Sequence, residues 1–230
     1  IGEVAAVSLA QQGARIIFTA RDRHRAGETF KKLNRANPNA GHLYHLADLS
    51  LLSEMKRVAA ALAEEPRIDV LVNNAGALFN RREETADGLE RSFALNHMSY
   101  FVITNMLLEK LQASGDARIV STASGAHRGS KLDFDDLQSE KGFRGFRVYS
   151  KTKLCNILFT RELARRLAAS RVTANCLHPG FVATRFGDQS GGIVGKLVGV
   201  AKNVGAISPE EGAKTIIYLA SSPDVAGVSG

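Results

Sequence analysis

Tyr149 and Lys153 lie four residues apart in Tyr149-Ser150-Lys151-Thr152-Lys153, at the start of a helical apolar pattern. That spacing puts a phenol and an ammonium on one helix face, one turn apart. An isolated phenol titrates at about 10 and is a poor base at neutral pH. A fixed positive charge beside it favours the phenolate and moves its pKa toward the working range. The pair is therefore a way to give a proton to a carbonyl or to take one from an alcohol. A lone Tyr/Lys pair at this spacing is more often a solvated helix face. Its weight here comes from the segments around it.

Those segments alternate between helix and strand from end to end. Residues 3–12 read as a helix ended by Gly13, and Arg15 to Ala20 as a short apolar strand. Residues 23–36 read as a polar helix closed by Asn37-Pro38, 42–46 as a strand, and 51–64 as a helix that Pro66 follows. A strand is expected at 68–72, one or two helices within 85–113, and a strand at 118–122. Residues 148–169 carry Leu154, Ile157, Leu158, Leu163 and Leu167 at helical spacing. A strand at 172–177 follows, and a helix over 209–221 has Ser208 as N-cap, Pro209 at its first position and Glu211 at its third. The stretches 125–147 and 185–207 read as loops. Near-continuous apolar strands separated by helices predict an α/β fold with a parallel sheet covered on both faces. No linker or composition shift divides residues 1–230, so one domain is expected.

Composition sets outer limits. With 230 residues, 44% hydrophobic and 23% charged, the chain can bury a sizeable core without staples. Its net charge of +7 lacks the long basic tract interleaved with aromatics that nucleic-acid binding would need. No apolar run approaches the ~18 residues of a spanning helix. Cys155 and Cys176 make no metal or redox spacing, and both fall in apolar segments that suit buried thiols and a reducing, cytoplasmic setting. His42 and His45 would point to opposite faces of a strand, a poor metal pair, and no metal is expected.

In an open parallel sheet, ligands sit at the carboxyl ends of the strands. Here those ends carry small or polar residues: Asn73-Asn74-Ala75-Gly76, Ala123-Ser124-Gly125, His178-Pro179-Gly180, and Asp48-Leu49. Together with Tyr149 and Lys153, in this order, they resemble the short-chain dehydrogenase/reductase family over essentially the whole chain. Asn96 in a helix and Pro179-Gly180-Phe181-Val182-Ala183-Thr184 belong to the same resemblance. The stretches Asp136-Leu137-Gln138-Ser139-Glu140-Lys141 and Leu158-Phe159-Thr160-Arg161-Glu162-Leu163 resemble its retinol-dehydrogenase-like branch.

The resemblance implies a Rossmann-type doubly wound sheet in three layers, and an enzyme that moves a hydride between a nicotinamide and an alcohol/carbonyl pair. Tyr149 would carry the proton. Lys153 would lower its pKa and hold the nicotinamide ribose. Ser124 would polarise the substrate oxygen, and Asn96 would keep a helix geometry and a water link behind Lys153. Ser121, three residues before Ser124, reads better as a strand residue. Cofactor contacts are implied for Ile1, Gly2, Asp48, Leu49, Asn74, Ala75, Gly76, Pro179, Gly180 and Val182, with Thr184 anchoring the carboxamide. At the end of the 15–20 strand the usual acidic position is Ala20, followed by Arg21, with Arg23 and Arg25 close by. Arginine suits a 2′-phosphate, so NADP is favoured over NAD, with Asp22 as the competing ribose partner.

The chain departs from the family at its ends. Ile1-Gly2 match only the last two residues of the family's glycine-rich turn, and the family places a further strand after Val228-Ser229-Gly230. The expectation is a truncated piece of a longer protein, lacking a central strand between 15–20 and 68–72, with any anchor before Ile1 left open. The expected partner is a small, apolar alcohol or carbonyl compound (retinoid, steroid or aldehyde-like), and a homodimer is allowed. The alternative is a dinucleotide-binding redox sensor without turnover. Residues 185–207, rich in glycine and aliphatics, are expected to form a lid over the substrate.

Overall fold

The computed structural model describes residues 1–182 and 206–230. Helix and strand alternate as α1 (Gly2–Gln11), β1 (Ile17–Ala20), α2 (Arg23–Ala36), β2 (Leu43–Leu46), α3 (Leu52–Ala63), β3 (Val70–Asn73), α4 (Arg91–Phe93), α5 (Ser99–Ala113), β4 (Arg118–Thr122), α6 (Gly145–Arg166), β5 (Thr173–Leu177) and α7 (Pro209–Ser221). The strand pairs are parallel: Ile17 lies opposite Leu43, Val70 opposite Arg118, and Arg118 opposite Thr173.

Both faces of the sheet are covered, and β4 shows why. Successive strand residues point to opposite faces. Ile119 packs with Met55 and Val58 of α3, Leu107 and Leu111 of α5, and Leu163 of α6. Its neighbour Val120 packs with Ala5 of α1 and with Ala213 and Ile216 of α7. This is the three-layer α/β arrangement of a Rossmann-type fold. Among the described residues the strands form two groups, β1-β2 and β3-β4-β5. β1 and β3 flank a cavity of about 1040 Å³ lined by Phe18, Val72, Tyr100 and Ile103 among others. The separation falls between the two segments that the sequence reading parts by an absent strand.

Several boundaries differ from expectation, each for a local reason. Within 85–113 the helical stretch starts at Arg91, because 85–90 form a turn closed by Thr85 N–H donating to Leu89 O at 2.8 Å. The buried Glu90 carboxylate then caps the helix by accepting from Ser92 N and Phe93 N, both at 2.8 Å. Between α4 and α5 the helix widens into a π-turn over Ala94–Met98, which contains Asn96. α6 starts at Gly145, earlier than its apolar periodicity indicates. A Cβ at Gly145 would stand 2.2 Å from the Phe79 carbonyl oxygen, so only glycine lets the helix start this close to that loop. His42 precedes β2, is buried, and accepts from Ile16 N at 2.9 Å through Nδ1. It is a structural histidine. Among the described residues no cluster could hold a metal ion, and no helix is long and apolar enough to cross a membrane.

Candidate active site

Two elements bring the proton-handling residues together. β4 ends at Thr122 and leads through Ala123 to Ser124, while the first turns of α6 carry Tyr149 and Lys153. The Ser124 hydroxyl is hydrogen-bonded to the Tyr149 phenol across 25 residues of sequence. Ser124 Oγ also accepts from Ala126 N at 3.2 Å, capping a short 3₁₀ turn over Gly125–His127 that fixes the serine's orientation. Lys153 Nζ donates to Thr122 O at 2.9 Å and lies 5.7 Å from the centre of the Tyr149 ring. Ser121 is wholly buried within β4, as expected for a strand residue.

The electrostatics differ from what spacing alone suggests. Tyr149 and Lys153 are both buried. Burial pushes the Tyr149 phenol above its usual value, and the Ser124 hydrogen bond works against that rise. Burial pushes the Lys153 ammonium down to about 7. The expected lowering of the phenol by Lys153 does not prevail in this structure: burial raises the phenol, and the opposing contribution comes from Ser124. Each group sits in a medium that disfavours its charged form. Tyr149 therefore keeps its proton at neutrality and is set to donate it to a carbonyl oxygen.

Asn96 joins three elements. Its Oδ1 accepts from Ala77 N at 2.8 Å, and its Nδ2 donates to Ala77 O at 2.9 Å and to Thr152 Oγ1 at 3.2 Å. Its own carbonyl, within the π-turn, accepts from Asn156 Nδ2 at 2.8 Å. The loop after β3 is thereby fixed against α6 beside Lys153. Gly76 fits into this corner: a Cβ there would stand 3.1 Å from Asn96 Oδ1 and 3.4 Å from Lys153 Nζ.

The remaining predicted residues line the carboxyl ends of the strands. Arg21 is exposed just past β1. Asp22 is the N-cap of α2 and accepts from Arg25 N at 2.8 Å, so its carboxylate is already engaged. Burial of Asp48 is outweighed by hydrogen bonds from Ser50 and by the nearby charges of Arg21 and Arg91, which hold the carboxyl below its usual value. Leu49 packs into the core beside it. Gly2 opens α1, with Ile1 as N-cap, and packs on Asn74 so closely that a Cβ would stand 2.5 Å from Nδ2. Thr122 Oγ1 holds that amide from the other side, donating to Asn74 Oδ1 at 3.3 Å, with Ala75 next in the chain. Past β5, Pro179 leads to Gly180 at φ 82°, and Val182 forms a parallel bridge with Ile207. Thr184 lies outside the described residues, as does all but the end of the lid expected over 185–207.

Sequence reasoning missed the supports of the site. Lys151, two residues after Tyr149, is buried and donates to Asp136 O, Leu137 O and Ser139 Oγ. Gln138 Oε1 accepts from Glu90 N at 2.7 Å, which ties the same loop to the start of α4. Tyr100 lies beneath Lys153, with the ammonium 5.5 Å from its ring centre. The one available signal was that the apolar spacing of α6 leaves Ser150, Thr152, Asn156 and Thr160 unexplained. All four are buried and hydrogen-bonded.

The arrangement has counterparts among known proteins. A family profile described as short chain dehydrogenase matches residues 1–191. Retinol dehydrogenase 14 of Homo sapiens is 42% identical over the whole of this chain and 73% of its own length. Retinol dehydrogenase 13 of Homo sapiens is 38% identical over the whole chain and 71% of its own. Among solved structures, the Pseudomonas aeruginosa RhlG/NADP active-site complex superposes with a TM-score of 0.74 at 26% identity, covering 99% of this chain and 87% of that one.

Proposed function

Because the chain belongs to the short-chain dehydrogenase family, in its retinol-dehydrogenase-like branch, we propose that it works as an NADP-preferring oxidoreductase on an apolar alcohol/carbonyl pair. The NAD(P)-dependent oxidoreductase class follows from the family itself. The catalytic part of the reading rests on one observation above all, the contact of Ser124 with the buried Tyr149 and, behind it, the buried Lys153. In this reading residues 1–230 act as a single dinucleotide-binding domain.

The residues at the strand ends fit a dinucleotide. Gly2 places the first turn of α1 against Asn74 without a side chain in the way, and a helix N-terminus favours phosphate. Gly76 leaves its backbone open beside Lys153. Arg21 is exposed at the end of β1, its charge near Asp48, where a 2′-phosphate would be read, and Asp22 is committed to its cap. The NADP named in the RhlG complex supports the same preference. The apolar substrate is supported by the names of the two relatives, both retinol dehydrogenases.

When bound, the nicotinamide supplies or accepts the hydride. The chain's own residues handle the proton and the oxygen. Ser124 donates a hydrogen bond to the substrate oxygen, and Tyr149 gives it a proton in reduction or takes one in oxidation. Lys153 holds positive charge behind the phenol and binds the ribose, while Asn96 keeps Lys153 and the loop after β3 in register. Leu49, Ala75, Pro179, Gly180 and Val182 are assigned to the cofactor's walls, and Thr184 to its carboxamide.

The test is turnover of NADPH and NADH with a panel of aldehydes and retinoids, using the intact protein and Tyr149→Phe. Loss of general acid catalysis typically costs about 10²–10⁴-fold. The variant should keep NADPH binding and lose at least that much rate. Binding without turnover in the unmodified protein would instead favour a redox sensor.

A further inference from the structure

Lys153 is wholly buried, and among the described residues its ammonium has one hydrogen-bond acceptor, Thr122 O at 2.9 Å. An ammonium carries three donors, and its charge can also be met by aromatic faces. Two aromatic faces stand within reach. Nζ is 5.7 Å from the ring centre of Tyr149 and 5.5 Å from that of Tyr100. Both distances fall inside the range in which a ring quadrupole attracts a cation, and the attraction is strongest where water is excluded. Tyr149 already has its role in proton transfer. Tyr100 comes from α5, is buried, and has none.

We propose that Tyr100 is a positioning residue of the reaction, whose ring face keeps the Lys153 ammonium charged and in place behind Tyr149. The inference rests on the reading of Lys153 given above. The groups around the ammonium are few. α5 contributes Tyr100, α6 contributes Tyr149, β4 contributes the Thr122 carbonyl, and the loop after β3 contributes the backbone at Gly76, held by Asn96. No carboxylate among the described residues offsets the burial of Lys153. Among the protein's own described groups, the two rings and the Thr122 carbonyl oppose loss of its proton. Tyr100 itself carries no proton to the site, because burial keeps its phenol neutral far above its usual range. Its hydroxyl has no partner among the described residues. The ring, rather than the hydroxyl, is the working part.

The experiment is a pH titration of the Lys153 side chain by NMR in the full-length protein labelled with ¹⁵N-lysine. The resonance is assigned by its absence in Lys153→Met. Tyr100→Leu should lower the Lys153 pKa by about one pH unit, as expected for loss of a desolvated cation–π contact. Tyr100→Phe, which keeps the ring, should restore the titration. In the same pair, kcat should fall about tenfold in Tyr100→Leu with KM for NADPH unchanged, and recover in Tyr100→Phe. A folded Tyr100→Leu protein in which Lys153 titrates as before would overturn the proposal. If Tyr100→Leu does not fold, phenylalanines of increasing fluorination at position 100 keep the shape and weaken the ring face. The Lys153 pKa should then fall stepwise, and a flat series would overturn the proposal. The titration needs no turnover. It therefore stands or fails separately from the functional reading, which Tyr149→Phe tests.

Discussion

The Lys151 ammonium donates to the Ser139 hydroxyl at 2.6 Å, on the side of α6 away from Tyr149 and Lys153. It also donates to the carbonyls of Asp136 and Leu137, at 3.1 and 2.9 Å. One buried cation thus closes the loop between β4 and α6. Ser139 is held at φ 53°, a left-handed backbone that a non-glycine residue adopts only under constraint. Two lysines two residues apart therefore do different work: Lys151 holds the loop, and Lys153 faces the phenol.

Lys151→Met should loosen that loop. Three acceptors lose their donor, and a buried unsatisfied acceptor typically costs about 1–3 kcal/mol. The expected result is a Tm lower by several degrees and faster hydrogen exchange over residues 133–141. Unchanged exchange there would show that the loop is held by Gln138 and Asp136 alone.

Lys153 should make the protein's stability depend on pH above neutrality. Its folded pKa is about 7, below the 10.5 of the free side chain. Between those values the unfolded chain binds a proton that the folded one lacks, so this group's contribution to stability rises with pH across the window. Below about 7 the penalty for the buried ammonium is fully present, at most about 5 kcal/mol. Lys153→Met should therefore raise Tm at pH 7 while removing activity, and the gain should shrink toward pH 10. A stability gain independent of pH would mean that packing, rather than charge, is responsible.

Arg21→Asp should raise KM for NADPH and move preference toward NADH. A carboxylate at the end of β1 would repel a 2′-phosphate and could accept from ribose hydroxyls. Steady-state kinetics with both cofactors checks this. If the ratio of kcat/KM values is unchanged, Arg23 or Arg25 reads the phosphate.

Gly145→Ala should impair both folding and catalysis. The new Cβ would be driven into the Phe79 carbonyl, so the first turn of α6 would have to move, at a cost of about 1–3 kcal/mol. Because Tyr149 lies one turn further along, kcat should fall together with Tm. A variant with lower Tm and normal kcat would show that the helix start can shift without moving the phenol.

Much of this was legible in the chain. Tyr149 and Lys153 share a helix face because four residues make about one turn, and that is a property of the local backbone. Alternating apolar runs and helical patterns set the parallel α/β order, since each strand and helix must bury a face. Ser124, Asn74 and Gly76 could be placed at strand ends by counting along the same pattern. Other features depended on residues distant in sequence. The fall of Lys153 to about 7 comes from the elements that close over it, and dielectric surroundings have no sequence period. Tyr100 meets Lys153 only because α5 and α6 come together there, and Gly145 is required only because the Phe79 carbonyl stands where its Cβ would be. Nothing in the sequence sets Lys151 apart, and it is the folded loop over Asp136–Ser139 that buries it. The sequence by itself determined which chemical groups are present and which share a helical turn or a strand end. The tertiary structure decided which of them lose water and which distant groups they meet, because desolvation and contact arise from packing between segments that no local spacing brings together.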